Sequence, residues 1–279
     1  MPELPEVETI KEALIKAVDH SVIRSVSVFN RNFRIPIPDD FEKLLTGQTI
    51  SRIYRRAKYV IINLTNGISI VWHFGMSGRV RIISQKKVSL EKHDHVMICT
   101  DNCTLVFNDA RRFGLITCMS SQDLEHSSFF AHVGIDPFDP QLDGEYLFSK
   151  IKYKHIPIKV ALLDQSIICG IGNIYASEAL YLARISPLRL CCAVSFEECS
   201  TLVVAVRDIL KKAIRAGGST LRDYRQPDGS MGYFQMQHAV YGKEGLRCPD
   251  CTCDCSLSGG IKKIVQAGRS TFYCDYLQK

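Results

Sequence analysis

The sequence predicts an α+β protein: an N-terminal antiparallel β-sandwich led by a helix, a helical second half, and a β-hairpin near the C-terminus. Three observations carry this. Short β-branched runs separated by turn residues fill most of the first half. Helical apolar spacing replaces them after about residue 150. A glycine-punctuated strand pair, GGIKKIVQAGRSTFYC, then follows a stretch crowded with cysteine.

In chain order, residues 5–18 place Val7, Ile10, Leu14 and Val18 on one helix face. Pro2, Glu3 and Glu6 suit the start of that helix, where a missing N–H costs nothing and negative charge meets the positive end of the dipole. The segments SRIYRRAKYVIINL, GISIVWHF, GRVRIIS, HVMICT and TLVFNDA read as strands of a sandwich of roughly 110 residues. FDPQLDGEYL, rich in Asp, Gly and Pro, is the natural linker. Beyond it, residues 159–168, 174–184 and 195–216 carry helical spacing, and SFEE at 195–198 has the pattern of a capping box. The expected division is therefore 1–135, a linker at 136–150, a helical domain over 151–238 and a finger over 239–279.

The chain has 279 residues, 46% of them hydrophobic and 23% charged, which suits a soluble protein of about two domains. No apolar run approaches the length of a membrane span, and the acidic N-terminus is unlike a secretory signal, so a cytoplasmic location is expected. Seven of the twelve cysteines (Cys99, Cys103, Cys118, Cys169, Cys191, Cys192 and Cys199) sit among apolar neighbours, as free thiols of a reducing compartment do. The net charge is +6, and the excess is concentrated after residue 140, where eighteen Lys and Arg face thirteen Asp and Glu. That balance suits a polyanionic partner without demanding one.

Two segments concentrate chemistry. In CGIGN, the glycines at 170 and 172 permit a tight reversal and set Asn173 at a helix N-terminus, a place that favours either a phosphate or a plain N-cap. In CPDCTCDC, four cysteines fall within eight residues and Cys274 follows the hairpin. Thiolates this dense suit a metal, and zinc wants four ligands. The second Cys-x2-Cys pair is nevertheless broken, because Leu277 stands three residues after Cys274.

Taken together and in order, MPELPEVET, RRAKYV, HFGMSGRV, HDH, DARRFG, the GIGNIYASEAL block, YGKEG and GRSTFYC resemble the bacterial formamidopyrimidine-DNA glycosylase family from residue 2 to residue 274. The related endonuclease VIII branch usually has glycine after the first Pro-Glu. The resemblance implies a helix-two-turn-helix domain, a zinc-finger-like hairpin and a bifunctional glycosylase and AP lyase for oxidised purines in duplex DNA. It also implies a monomer in the bacterial cytoplasm, associated with the nucleoid. An endonuclease VIII-type enzyme for oxidised pyrimidines, or a catalytically silent lesion-binding protein, are the alternatives.

The resemblance makes Pro2, freed by removal of Met1, a secondary-amine nucleophile that attacks C1′ of the damaged nucleoside and forms an iminium. β-Elimination and then δ-elimination follow. Glu3 is implied as a proton shuttle and Glu6 as a supporting or base-contacting group. Lys58, expected on a strand facing the site, is implied as a proton donor, and Arg269 as the hairpin arginine that holds phosphate. His93, Arg111, Lys154, Lys159 and Asn173 match DNA-contacting positions. Met76, Arg111 and Phe113 are implied to fill the space left by the flipped nucleotide, and residues 217–234 to cover the flipped base. Zinc, one per chain, is implied on Cys248, Cys251, Cys255 and Cys274, with Cys253 or Cys255 standing in for the thiolate that Leu277 lacks; a metal-free hairpin is the other outcome.

Overall fold

A computed structural model describes residues 2–84, 88–220, 225–252 and 254–279. The chain divides into two compact units, Met1–His132 with Ile214–Gln235, and Val133–Ala213 with Met236–Lys279.

The first unit is the expected sandwich. Helix α1 (Leu4–Val18) leads into β1 (Ile23–Val28), a short α2 (Phe41–Leu45), and then β2 (Ile50–Arg56), β3 (Tyr59–Leu64), β4 (Ile68–His73), β5 (Arg79–Ile83), β6 (Asp94–Thr100), β7 (Thr104–Asn108) and β8 (Leu115–Ser120). Two four-stranded antiparallel sheets result, ordered β1-β6-β7-β5 and β2-β3-β4-β8. Period-two alternation turns Val60, Ile62, Ile70 and Trp72 of one sheet and Val96, Ile98, Leu105 and Phe107 of the other into a single core. Val7, Ile10, Leu14 and Val18 of α1 join it. Trp72 stacks on Phe74 and meets Phe107 edge-on, with centroids 5.5 and 5.4 Å apart.

SRIYRRAKYVIINL is two strands rather than one. Ala57, at φ +53°, breaks the run, and Arg56 pairs with Tyr59 across a two-residue turn. That geometry requires the left-handed region, which matches the twist of the flanking strands.

In the second unit, α3 (Gly144–Ile151) begins inside the stretch expected to be a linker, because the Asp143 carboxylate accepts from the Tyr146 N–H at 2.7 Å and caps a helix there. α4 (Ile158–Leu162) stops short of the expected residue 168, since Asp164 accepts from both the N–H and the hydroxyl of Ser166 and turns the chain. After α5 (Asn173–Leu182) and a 3-10 turn, α6 (Phe196–Arg215) starts with the expected capping box: Ser195 N–H donates to Glu198, and Glu198 N–H to the Ser195 hydroxyl. A short α7 (Cys255–Ser258) precedes the hairpin of β9 (Lys262–Gln266) and β10 (Arg269–Tyr273). The buried Glu178 carboxylate of α5 accepts from the N–H groups of Ala239, Val240 and Tyr241 and fixes the approach to the hairpin. Of the seven cysteines expected among apolar neighbours, Cys192 is exposed. Among the described residues no helix is long and apolar enough to cross a membrane.

Candidate active site

The opening residues are held rather than frayed. Pro2 and Glu3 are buried, and Glu3 is the N-cap of α1 with Pro5 in its first turn. The Glu6 carboxylate, 1% exposed, accepts from the Glu3 N–H at 2.8 Å through one oxygen and from the Ser219 N–H at 2.7 Å through the other. Glu6 therefore ties the first turn of α1 to the start of the 217–234 segment. Gly218, at φ +79°, permits that approach, because a Cβ there would lie 2.8 Å from the Glu6 oxygen. The described part of the segment folds back on itself: Thr220 donates to Gln235 and accepts from Gly232, and Ser219 bridges Tyr233. Residues 221–224 lie outside the described residues.

Lys58 sits in the two-residue turn between β2 and β3, not on a strand as expected, and is only 8% exposed. Arg55 braces that turn. Its guanidinium donates to Glu8 of α1 at 2.7 Å and to the Ala57 carbonyl at 3.1 Å, linking the turn to the helix that carries Glu3 and Glu6. His73, at the end of β4, accepts from the Gly75 N–H on Nδ1 at 3.0 Å. Burial, reinforced by the charge of Lys58 and opposed by Asp109, pushes its imidazole down to about 4. His73 is thus neutral across the physiological range.

Two loops at one edge of the sandwich present Met76, Arg111 and Phe113. All three are exposed, Met76 at 42% and Phe113 at 54%, and the Arg111 guanidinium lies 4.0 Å from the Met76 sulfur. Asp109, fully buried, pins both loops: it accepts from the Ser77 hydroxyl at 2.5 Å and the Gly114 N–H at 2.7 Å, while its carbonyl meets His95 Nε2 at 2.9 Å. Gly75, at φ +55°, allows the loops to touch, since a Cβ would fall 2.4 Å from the Phe113 backbone. His93 is exposed beside this edge at φ +73°, and its carbonyl accepts from the Asp109 N–H.

In the second unit Asn173 opens α5, with Gly172 as the N-cap residue and Gly170 at φ +85° making the reversal. The Asn173 amide donates to the Ser270 carbonyl at 2.8 Å and to the Tyr241 hydroxyl at 3.2 Å. Lys159 departs from the surface contact expected of it. It is wholly buried, and its ammonium donates to Asn173 Oδ1 at 2.6 Å, Thr271 Oγ1 at 2.7 Å and the Ser270 carbonyl at 3.1 Å. Three acceptors converge there, so the lysine braces Asn173 against the hairpin instead of reaching outward. Lys154 is half-buried after α3, and Arg269 is exposed at the start of β10, just past the Ala267-Gly268 turn.

Cys248, Cys251 and Cys274 are buried with their sulfurs all within 4.8 Å of one another. The Cys274 sulfur lies 3.4 Å from that of Cys248 and 3.8 Å from that of Cys251. Cys255, expected among the ligands, begins α7 outside this group, because the Asp254 cap starts a helix there. Cys253 lies outside the described residues.

The formamidopyrimidine-DNA glycosylase N-terminal domain model matches residues 1–116, and the formamidopyrimidine-DNA glycosylase H2TH domain model matches residues 133–225. Over their full lengths the chain is 42% identical to the formamidopyrimidine-DNA glycosylase of Rhodospirillum rubrum. The chain belongs to the formamidopyrimidine-DNA glycosylase family. Among solved structures it resembles the wild-type Lactococcus lactis glycosylase in complex with DNA containing N7-benzyl-Fapy-dG, with a TM-score of 0.89 and 31% identity over the whole of both chains. The same Lactococcus lactis enzyme bound to abasic-site DNA matches at a TM-score of 0.89 and 31% identity, covering 99% of each chain.

For a glycosylase of this family the finger is altered. Tetrahedral zinc with Zn–S near 2.3 Å sets its sulfurs about 3.8 Å apart, and the three thiols fit three such corners. Leu277 packs against the same cluster and offers no donor. The residues therefore supply a partial, degenerate version of a zinc cage. Sequence reasoning missed Asp109 and Tyr241, which bond the predicted Arg111 and Asn173, Arg55 and Glu8, which brace the turn that carries Lys58, and His73, whose ionisation the Lys58 charge opposes. All five lay within quoted motifs, Glu8 in MPELPEVET, Arg55 in RRAKYV, His73 in HFGMSGRV, Asp109 in DARRFG and Tyr241 in YGKEG, so membership of a motif was the signal available.

Proposed function

We infer that the chain is a bifunctional DNA glycosylase and AP lyase of base excision repair, acting on duplex DNA that carries oxidised purines such as 8-oxoguanine and formamidopyrimidines, or abasic sites. We propose that it does so as a monomer on the bacterial nucleoid. The observation that carries the reading is the buried Pro2-Glu3 start, locked by the two-sided Glu6 carboxylate. A helix start can be capped without burying its terminus, whereas a nucleophile needs fixed placement.

Loss of Met1 leaves a secondary amine on Pro2, and α-amino groups titrate near pH 8, so a useful fraction is unprotonated at neutral pH. The amine attacks C1′ of the damaged nucleoside and the base departs with the C1′–N bond electrons, leaving an iminium between Pro2 and the ring-opened sugar. Glu3, next in the chain, handles the proton at the sugar ring. Glu6 holds the Glu3 backbone and the covering segment in one geometry. The iminium acidifies the C2′ proton, and its removal expels the 3′ phosphate; a second elimination expels the 5′ phosphate. Lys58, desolvated in its turn, is assigned to proton donation.

Arg111, Met76 and Phe113 are suited to fill the vacated stack and to meet the orphaned base, because the buried Asp109 anchors both of their loops. Lys154, His93, Asn173 and Arg269 are assigned to phosphates. Lys159 acts through Asn173 and the hairpin. Zinc, where bound by Cys248, Cys251 and Cys274, supplies structural cross-linking of the finger and no step of the reaction.

The test is a side-by-side assay on duplexes containing 8-oxoguanine, formamidopyrimidine and thymine glycol. The first two are expected to be excised and the strand left with phosphate at both ends of the gap. Faster excision of thymine glycol would move the chain to the oxidised-pyrimidine class, and binding without excision of any base would make it a lesion-binding protein.

A further inference from the structure

We propose that Cys192 and His155 form a thiol-modification site that captures a small anionic disulfide, of which oxidised glutathione is the representative, and that the captured group weakens duplex binding by crowding Lys154. The capture stands on the side chains themselves; its effect on DNA rests on Lys154 meeting a phosphate, as proposed for the duplex.

The two residues meet because their segments pair. The Ile158 N–H donates to the Arg189 carbonyl at 2.8 Å, the Cys191 N–H to the Ile156 carbonyl at 2.9 Å and the Cys192 N–H to the Lys154 carbonyl at 3.2 Å, an antiparallel run that includes the Pro157–Leu190 bridge. Successive side chains of such a run point to opposite faces. Cys191 turns inward and is fully buried, and burial pushes its thiol up to about 11 although the Lys154 charge pulls the other way. Cys192 turns outward. Its sulfur is exposed and lies 3.7 Å from Nδ1 of His155, itself exposed. Among the described residues no other cysteine is exposed.

A thiol reacts as its thiolate, so a reactive cysteine needs solvent access, a proton acceptor and positive charge nearby. Cys192 has open surface, the His155 imidazole, and Lys154 set alongside by the backbone pairing. Its neighbour Cys191 has the lysine without the access. The same lysine favours a disulfide that carries carboxylates, as oxidised glutathione does.

In the exchange the Cys192 proton passes to His155, and the thiolate attacks one sulfur of the disulfide. One S–S bond forms as another breaks, and the leaving thiolate takes the proton from His155. The Cys192 sulfur is oxidised and the leaving sulfur reduced, so no further oxidant enters. Excess thiol reverses the step. The captured tripeptide brings its carboxylates to Lys154, where a phosphate would otherwise meet the ammonium.

The experiment is intact-mass measurement and peptide mapping of the reduced full chain after brief exposure to oxidised glutathione, with duplex-binding titrations of the modified and unmodified forms. The first glutathionyl group is expected on Cys192 and to be removed by excess reduced glutathione with recovery of binding. Cys192→Ser is expected to lack it and to bind duplex as the wild type does. His155→Gln is expected to slow its formation roughly tenfold at pH 7, through a lower thiolate fraction, and little at pH 9, where an ordinary thiol is mostly ionised. Modification is expected to weaken duplex binding several-fold in the wild type and to add nothing to the weakening already present in Lys154→Ala. A first adduct on another cysteine, or equal rates for the wild type and His155→Gln at pH 7, would overturn the site. An adduct on Cys192 that leaves duplex binding unchanged would overturn the effect on Lys154. Because the adduct is read by mass, a chain that forms it yet binds no duplex in either form would overturn the functional reading while supporting the site.

Discussion

Two hairpin tips carry the two cations most exposed to functional suspicion, and they are built in opposite ways. Both turns place an alanine at positive φ, Ala57 at +53° and Ala267 at +46°. After the first, Lys58 is buried at 8% exposure and its turn is clamped to α1 through Arg55 and Glu8. After the second, Arg269 is exposed, and the hairpin behind it is braced by Lys159, Asn173 and the cysteine cluster. A group that moves a proton gains from a fixed, desolvated position, whereas a group that meets a phosphate gains from reach. Two turns that share an alanine at positive φ thus set one cation buried and the other exposed, decided by what each tip packs against.

The largest expected effect breaks the first tip. Lys58→Ala should lower 8-oxoguanine excision by about a hundredfold or more, the scale of a lost general acid or base, while cleaving a preformed abasic site far better. Single-turnover assays on both duplexes check this, and equal losses on the two would remove the assigned division of labour.

The next effect follows from His73, which is held beside Lys58. Its folded value of about 4 lies below the ordinary 6.5, so between those values the unfolded chain binds more protons than the folded one. Stability is full above about pH 6.5 and falls as the pH drops toward 4, by an amount on the order of 3 kcal/mol at most. His73→Gln should flatten that slope in urea titrations run from pH 7 to 4.5; an unchanged slope would mean that His73 is not held neutral.

At the second tip, Lys159→Met keeps the length of the side chain but leaves three acceptors without their donor. A loss of about 2 kcal/mol of stability is expected, together with weaker duplex binding, because Asn173 and the hairpin lose their brace. Calorimetry and a binding titration read the two effects. Unchanged stability would return Lys159 to the surface role the sequence suggested. The smallest effect is that of Glu8→Gln, which removes one charge of a partly exposed pair and should cost about 1 kcal/mol or less, with excision slowed several-fold and the KM nearly unchanged.

Much of this was legible in the sequence, for physical reasons that also mark where reading stopped. Apolar periodicity revealed α1, the strands and α6, because burial of one face is written along the chain at period 3.6 or 2. It could not reveal that RRAKYV bends at Ala57, since alanine is not a residue expected at positive φ. The motif residues Pro2, Glu3, Met76, Arg111 and Arg269 stood out through the family resemblance. Lys159 did too, yet its charge faces inward, and nothing local distinguishes a lysine whose three acceptors lie about a hundred residues away or across a turn. Asp109 and Tyr241 stood inside quoted motifs without being singled out, because Ser77 and His95, and Asn173, which they bond, come from other segments. Cys255 shows the limit in reverse, as a residue of the right type at a plausible spacing that the Asp254 cap draws into a helix.

The central claim is that the buried Pro2 amine is the nucleophile, and reductive trapping tests it most directly. Incubation with an 8-oxoguanine duplex and borohydride should link protein and DNA covalently, because reduction freezes the iminium, and a chain whose terminus is acetylated or retains Met1 should give no adduct. Undiminished trapping with the terminus blocked would contradict the assignment and place the reactive amine elsewhere, Lys58 being the first to examine.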